Sequence, residues 1–225
     1  IRDGAEKLGF DKKNMNAAEK WYPLHVMVCN TCWLVQTEDF VGVSEMFSEE
    51  YAYYSSYSST WLDHAKKYVN QVIPRFDLDS SSNIVEVAAN DGYLLQYFKS
   101  KNISCFGVEP TSGPASAARE KNIEVIEDFF GESMAVRLAK EDRLADLMLA
   151  NNVLAHVPDI NDFVKGFSIL LKPQGVATFE FPHLLNIFID FQILKFQIFF
   201  LVFSIGVWYV IDSLQVGYRQ QVDSL

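Results

Sequence analysis

N-I-V-E-V-A-A-N-D-G-Y-L-L-Q-Y-F, Asn83 to Phe98, begins as a strand and ends as a helix. Ile84, Val85, Val87 and Ala88 form a short apolar run with one acid, Glu86, inside it, and apolar residues then recur at Leu94, Leu95 and Phe98 with the spacing of a helix face. The joint, Ala88-Ala89-Asn90-Asp91-Gly92, is built of small and turn-forming residues, so backbone N–H groups at the start of the helix can face a carboxylate or a phosphate. The alternation continues downstream. Strands are expected over 84–88, 105–109, 124–126, 145–150 and 176–181, helices over 94–100, 115–121, 132–140 and 160–171, with Pro173 and Gly175 turning the chain before the last strand. Short apolar strands separated by amphipathic helices predict an α/β fold with a doubly wound, mostly parallel sheet covered on both faces. Such sheets bind ligands at the carboxyl ends of their strands.

Outward from this stretch the character changes twice. Residues 1–75 read as a small lead-in module holding Cys29-x-x-Cys32 and the aromatic, hydroxyl-rich run Tyr51 to Thr60; Pro74 and the turn residues Asp77 to Ser82 separate it from the regular section, 76–186. Residues 187–225 are an apolar tail. Its run Phe196 to Ile211 carries no charge but is shorter than the ~20 residues that span a bilayer, which leaves buried strands or helix, a membrane segment, or a tail foreign to the fold as alternatives. A net charge of −10 without any Lys/Arg run argues against nucleic acid or an anionic membrane as partner and favours a small molecule. Three cysteines make no disulfide framework, and the first residues lack a signal-peptide pattern, so a reducing, cytoplasmic setting is expected.

Three features at the carboxyl ends of the expected strands point to one ligand. Glu86 and the Asn90-Asp91-Gly92 turn suit an ammonium and a carboxylate. Glu109 ends the second strand 23 residues after Glu86, the spacing at which an acid reaches ribose hydroxyls. Asp128, Phe129 and Phe130 follow the third strand and offer an acid for an amino group and aromatic faces for a purine. Together they describe a nucleoside with an amino-acid tail, S-adenosylmethionine. A nicotinamide dinucleotide is disfavoured, because only Gly92 remains of the glycine fingerprint that lets backbone approach a pyrophosphate.

With these motifs in place the chain resembles the SAM-dependent sugar C-methyltransferases that act on nucleotide-linked deoxy-keto-sugars. The matching stretches are P-L-H-V-M-V-C-N-T-C-W-L-V-Q, Y-A-Y-Y-S-S-Y-S, V-E-V-A-A-N-D-G-Y-L-L, G-V-E-P, L-A-N-N-V-L-A-H-V-P-D-I-N-D-F and F-E-F-P-H-L, in order from about Tyr22 to Leu185. The resemblance implies a Rossmann-like methyltransferase domain behind a partial zinc-knuckle module. Cys29 and Cys32 are then zinc ligands, although the family's other cysteine pair has no counterpart here. Candidate cofactor contacts are Glu86, Ala88, Asn90, Asp91, Gly92, Glu109, Pro110, Asp128, Phe129, Phe130, Asn151 and Asn152. The catalytic candidates are His156, placed to move a proton, and Tyr51 and Tyr54, which the resemblance assigns to the active site. After Leu185 the family's Tyr-His-Glu-His segment is not recognisable, so the alternative is a catalytically incomplete SAM-binding module. Cys105 is expected in a strand core, His183 at the end of the fifth strand, and His64 on an exposed helix face. Oligomeric state is left open.

Overall fold

The computed structural model describes residues 21–23, 25–31, 33, 35–38, 40, 42, 47, 51 and 53–182, and the backbone of 196–204, 207–212 and 220–221. The chain divides into two compact units, Ile1–Tyr53 and Tyr54–Leu225. In the first, β1 (Val26–Val28) pairs antiparallel with β2 (Val35–Thr37), Met27 facing Gln36 in the register. A backbone hydrogen bond from Trp33 N–H to the Cys29 carbonyl closes the turn between them.

The second unit starts with a 3-10 turn, Ser55–Tyr57, and helix α1, Ser59–Arg75. Ser58 caps α1, its hydroxyl accepting from Trp61 N–H at 3.2 Å, and Pro74 sits inside the last turn rather than ending the helix. Its buried residues Ala65, Tyr68, Val69 and Val72 recur at helical spacing and pack on the sheet.

The sheet is laid down in the expected alternation: β3 (Asn83–Val87), α2 (Leu95–Lys99), β4 (Ser104–Val108), α3 (Ser112–Glu120), β5 (Glu124–Ile126), α4 (Glu132–Lys140), β6 (Ala145–Asn151), a 3-10 turn (Leu154–His156), α5 (Ile160–Leu170) and β7 (Leu171–Pro182). The spatial order β7-β6-β3-β4-β5 is parallel throughout. This is the doubly wound, Rossmann-like arrangement, and its order reverses direction at β3. Ile84, Leu147, Leu149 and Val176 meet α1, α2 and α3 on one face; Val85, Val87, Met148, Ala150 and Phe179 meet α4 and α5 on the other. Cys105, half-buried in β4, has its thiol pushed up to about 11 by burial, so it behaves as a packed side chain.

Within the apolar tail, β8 (Phe196–Ser204) and β9 (Val207–Asp212) extend the sheet antiparallel beyond β7, and β10 (Gln220–Gln221) pairs with β9. Strands are therefore what the charge-free run forms. Among the described residues no helix is long and apolar enough to cross a membrane.

Candidate active site

The site is built at the carboxyl end of β3. There the chain passes through Ala88, Asn90 and Gly92 with φ of 58°, 49° and 71°, a left-handed conformation that bends the strand sharply into α2. Gly92 has no freedom to carry a side chain. A Cβ there would stand 2.5 Å from Ile123 Cδ1 and 3.2 Å from Ala118 Cβ. On β4, a Cβ at Gly107 would meet Ala89 Cβ at 2.5 Å, so a glycine in the neighbouring strand lets the turn lie close against the sheet.

Glu109 fixes the turn from the other side. One carboxylate oxygen accepts from Asn90 N–H at 2.9 Å; the second accepts from Thr111 N–H at 2.9 Å and from the Thr111 hydroxyl. The Asn90 and Asp91 side chains look back toward the start of the unit. Asn90 Oδ1 accepts from Ser55 N–H at 2.9 Å and Asp91 Oδ2 from Ser56 N–H at 3.2 Å. Lys121 completes the tie, donating to Ser56 Oγ at 2.7 Å and to the Asp91 carbonyl at 2.6 Å, with its Nζ 3.4 Å from Asp91 Oδ2. Tyr54, stacked on Tyr57 at 5.3 Å, is thus anchored beside the turn through the residues that follow it.

Glu86 differs from these acids. It is fully buried, and neither of its oxygens has a hydrogen-bond partner among the described residues; Asp91 Oδ1 is in the same condition. Burial, helped by the Asp91 and Glu109 carboxylates, pushes the Glu86 carboxyl well above the ordinary range, against the opposing influence of the Tyr93 hydroxyl. Two buried acids with unused oxygens beside a left-handed turn form a place for a cationic, hydrogen-bond-donating group.

The remaining candidates divide. Pro110 is half-buried just past β4. Phe129 is 47% exposed, whereas Phe130 packs edge-on against Phe163 and Phe167 at 5.7 and 5.3 Å and joins the core, so only Phe129 presents an open ring. Asp128 is exposed and accepts from Phe129 N–H. Asn151 donates its amide to the Tyr93 hydroxyl at 3.3 Å; Asn152, at φ 55°, donates its N–H to the Glu180 carbonyl at 2.7 Å. His156 is exposed in the 3-10 turn after β6. Tyr51 belongs to the first unit, where it packs on Phe47 at 5.5 Å. Cys29 is half-buried, with Sγ accepting from Thr31 N–H; Cys32 and His183 lie outside the described residues. Among the described residues no group of three or more His, Cys, Asp or Glu is placed to hold a metal.

Two residues at this end of the sheet were not in the sequence-based set. His64 is not on an exposed helix face: its Nε2 lies 2.9 and 3.0 Å from the two oxygens of the buried Glu180, and Trp61 stacks on its ring at 5.0 Å. The signal was in the helix. Trp61, His64, Ala65, Tyr68, Val69 and Val72 fall on one stripe at i, i+3, i+4, i+7 spacing, which places His64 on the inward face. The Glu180 partner is 116 residues away and has no local signature.

Comparison with known proteins follows the same division of the chain. Residues 6–47 match a family described as "Putative zinc binding domain" and residues 61–194 match one described as "Methyltransferase domain". C-methyltransferase NovU from Streptomyces niveus is 30% identical over 189 residues, 84% of this chain and 45% of that protein. The chain therefore spans less than half the length of that curated relative. Solved structures with a similar chain path include a SAM dependent methyltransferase from Archaeoglobus fulgidus (19% identity, TM-score 0.44, 60% of this chain and 62% of that one). The plantazolicin methyltransferase BpumL in complex with SAH is another (12%, TM-score 0.45, 58% and 50%). The methyltransferase-domain match covers more than half of the chain and coincides with the parallel sheet and its turn after β3: the chain belongs to the methyltransferase domain family.

Proposed function

We propose that this chain is the cofactor-binding part of a SAM-dependent C-methyltransferase acting on a nucleotide-linked deoxy-keto-sugar. The observation that carries the reading is the set of three buried carboxylate oxygens at the turn after β3, both of Glu86 and Oδ1 of Asp91, that have no hydrogen-bond partner among the described residues. The ammonium of an amino-acid tail supplies donors for these oxygens, and Glu109 at the end of β4 stands where a ribose would follow. Phe129 offers its open ring to the adenine. The cofactor, when bound, supplies an electrophilic methyl group on a sulfonium. The chain's own residues hold it with its tail at β3 and its nucleoside over β4 and β5. C-methylation as the reaction, and a small-molecule acceptor, rest on the likeness to NovU over most of this chain.

Under this reading His156, Tyr51 and Tyr54 serve the acceptor, as proton carrier and as hydroxyls near its carbonyl. Cys29 and Cys32 contribute to a zinc site in the segment that matches the zinc-binding family. Titration calorimetry of the folded chain with S-adenosylhomocysteine, run beside NADH, tests the cofactor assignment. Saturable micromolar binding of the first alone is expected. Absence of binding by folded protein removes the reading, and binding without methyl transfer to any keto-sugar leaves only a SAM-binding module.

A further inference from the structure

The proposed cofactor occupies the ends of β3, β4 and β5, which leaves the ends of β6 and β7 for the acceptor. That is where His64 and Glu180 meet. Glu86, Leu149 and Thr178 lie in one row across β3, β6 and β7, and Glu180 is two residues farther toward the carboxyl edge, in register with Asn151. At a rise of ~3.3 Å per residue this sets Glu180 roughly 7 Å beyond the Glu86 row.

We infer that His64, held by Glu180, is the base of this site that takes the proton from the carbon next to the acceptor's carbonyl, with His156 left to carry that proton on to solvent. The inference rests on the C-methyltransferase reading above. Glu180 is 1% exposed and its His64 contact engages Nε2 at 2.9 Å, so proton exchange is left to Nδ1, on a side chain that stays 37% exposed. The Trp61 ring stacks on both His64, at 5.0 Å, and Tyr93, at 6.0 Å, and fixes the imidazole plane. Tyr93 in turn is tied to Asn151. A buried acid, an imidazole bonded through one nitrogen and an aromatic clamp form a histidine–carboxylate pair at the strand ends where a substrate binds.

The step balances within the chain and the acceptor. Nδ1 takes the α-proton as the C–H bond breaks; that electron pair forms the carbon–carbon double bond of the enolate, and the carbonyl π pair moves onto oxygen. The imidazolium keeps its Nε2–H bonded to Glu180, whose charge offsets the new one, and later returns its proton to water. Glu180 from β7 raises the His64 pKa above the ordinary histidine value, chiefly through that hydrogen bond; burial and Lys67 on the same helix oppose it. Glu180 is a positioning residue that acts through His64.

The test is hydrogen–deuterium exchange at the α-carbons of thymidine-diphosphate-4-keto-6-deoxyglucose, followed by NMR in D2O with the full chain and saturating S-adenosylhomocysteine. Exchange is expected to rise with pH along one limb whose midpoint is the raised His64 pKa. His64→Asn should slow it about a hundredfold or more while S-adenosylhomocysteine still binds. Glu180→Gln should move the limb to lower pH, a shift that a merely structural role does not produce. No exchange by the wild-type chain above the spontaneous rate, wild-type exchange by His64→Asn, or an unmoved limb in Glu180→Gln overturns the inference. Loss of S-adenosylhomocysteine binding by the wild-type chain instead sinks the cofactor reading, a separate result.

Discussion

Glu109 and Asn90 are joined by a 2.9 Å hydrogen bond from the Asn90 backbone N–H to a carboxylate oxygen that is almost wholly buried. With the two bonds from Thr111, three of roughly four lone-pair sites on that carboxylate are already taken by the chain itself. Glu109 thus holds the turn and has one site left for an outside donor.

Replacing Glu109 by Gln turns one acceptor into a donor that faces an N–H. A loss of stability of ~1–3 kcal/mol is expected from the stranded amide, measured by urea unfolding. Affinity for S-adenosylhomocysteine should fall only about tenfold, since a single charge-assisted hydrogen bond is lost. A variant that binds as the wild type does would take the ribose away from Glu109.

Gly92→Ala meets two obstacles at once. The backbone is left-handed there and the added Cβ points at Ile123 and Ala118, side chains packed in the core between α3 and the sheet. The expected cost is ~1–3 kcal/mol of strain plus repacking, read as a lower urea midpoint with an unchanged slope. An unchanged midpoint would mean that the turn adjusts freely.

Glu86 gives a pH dependence with a definite sign. Its carboxyl titrates well above the ordinary range in the folded chain. The contribution is most favourable below the unfolded-state carboxylate pKa and is lost as pH rises toward and through the raised folded value, at no more than about 1.4 kcal/mol per pH unit. Glu86→Gln should remove this slope and be more stable than wild type at neutral pH. A cationic tail binding beside Glu86 favours the ionised form, so S-adenosylhomocysteine binding should release protons in the wild type. Calorimetry in buffers of different ionisation enthalpy should show that release, and Glu86→Gln should lack it. Equal proton release by both would place the ammonium elsewhere.

The strand and helix order was readable because each parallel strand is a short apolar run, buried on both faces, between turn residues such as Asp142 and Asn122 that take positive φ. Glu86 was readable for the opposite reason, as an acid inside such a run. Side-chain partners were less so. Asn90 and Asp91 read as ligand contacts, and what their side chains accept from is Ser55 and Ser56, 35 residues earlier in each case. Phe129 and Phe130 are adjacent and alike in sequence, and only their neighbours on α5 separate a core ring from an open one. His64 was misplaced because the polar residues around it, Asp63, Lys66 and Lys67, hid the stripe running from Trp61 to Val72. Its partner Glu180 belongs to a distant strand.

The tie between the turn and the segment 54–57 can be tested without any ligand. Ser55 N–H has the Asn90 side chain as acceptor and Ser56 N–H has that of Asp91, while Lys121 binds Ser56 and the Asp91 backbone together. Asn90→Ala removes the first acceptor and leaves the second, so the Ser55 amide should exchange with deuterium about tenfold faster or more, the equivalent of ~1.4 kcal/mol, with Val85 and Val87 in β3 unaffected. Lys121→Met should speed exchange at Ser56 and weaken the stack of Tyr54 on Tyr57, because the cation that fastens the segment is gone. If both amides keep their wild-type protection in both variants, α1 and its cap hold the segment by themselves. The turn after β3 would then serve the cofactor alone, and Tyr54 would owe its place to the helix rather than to the binding site.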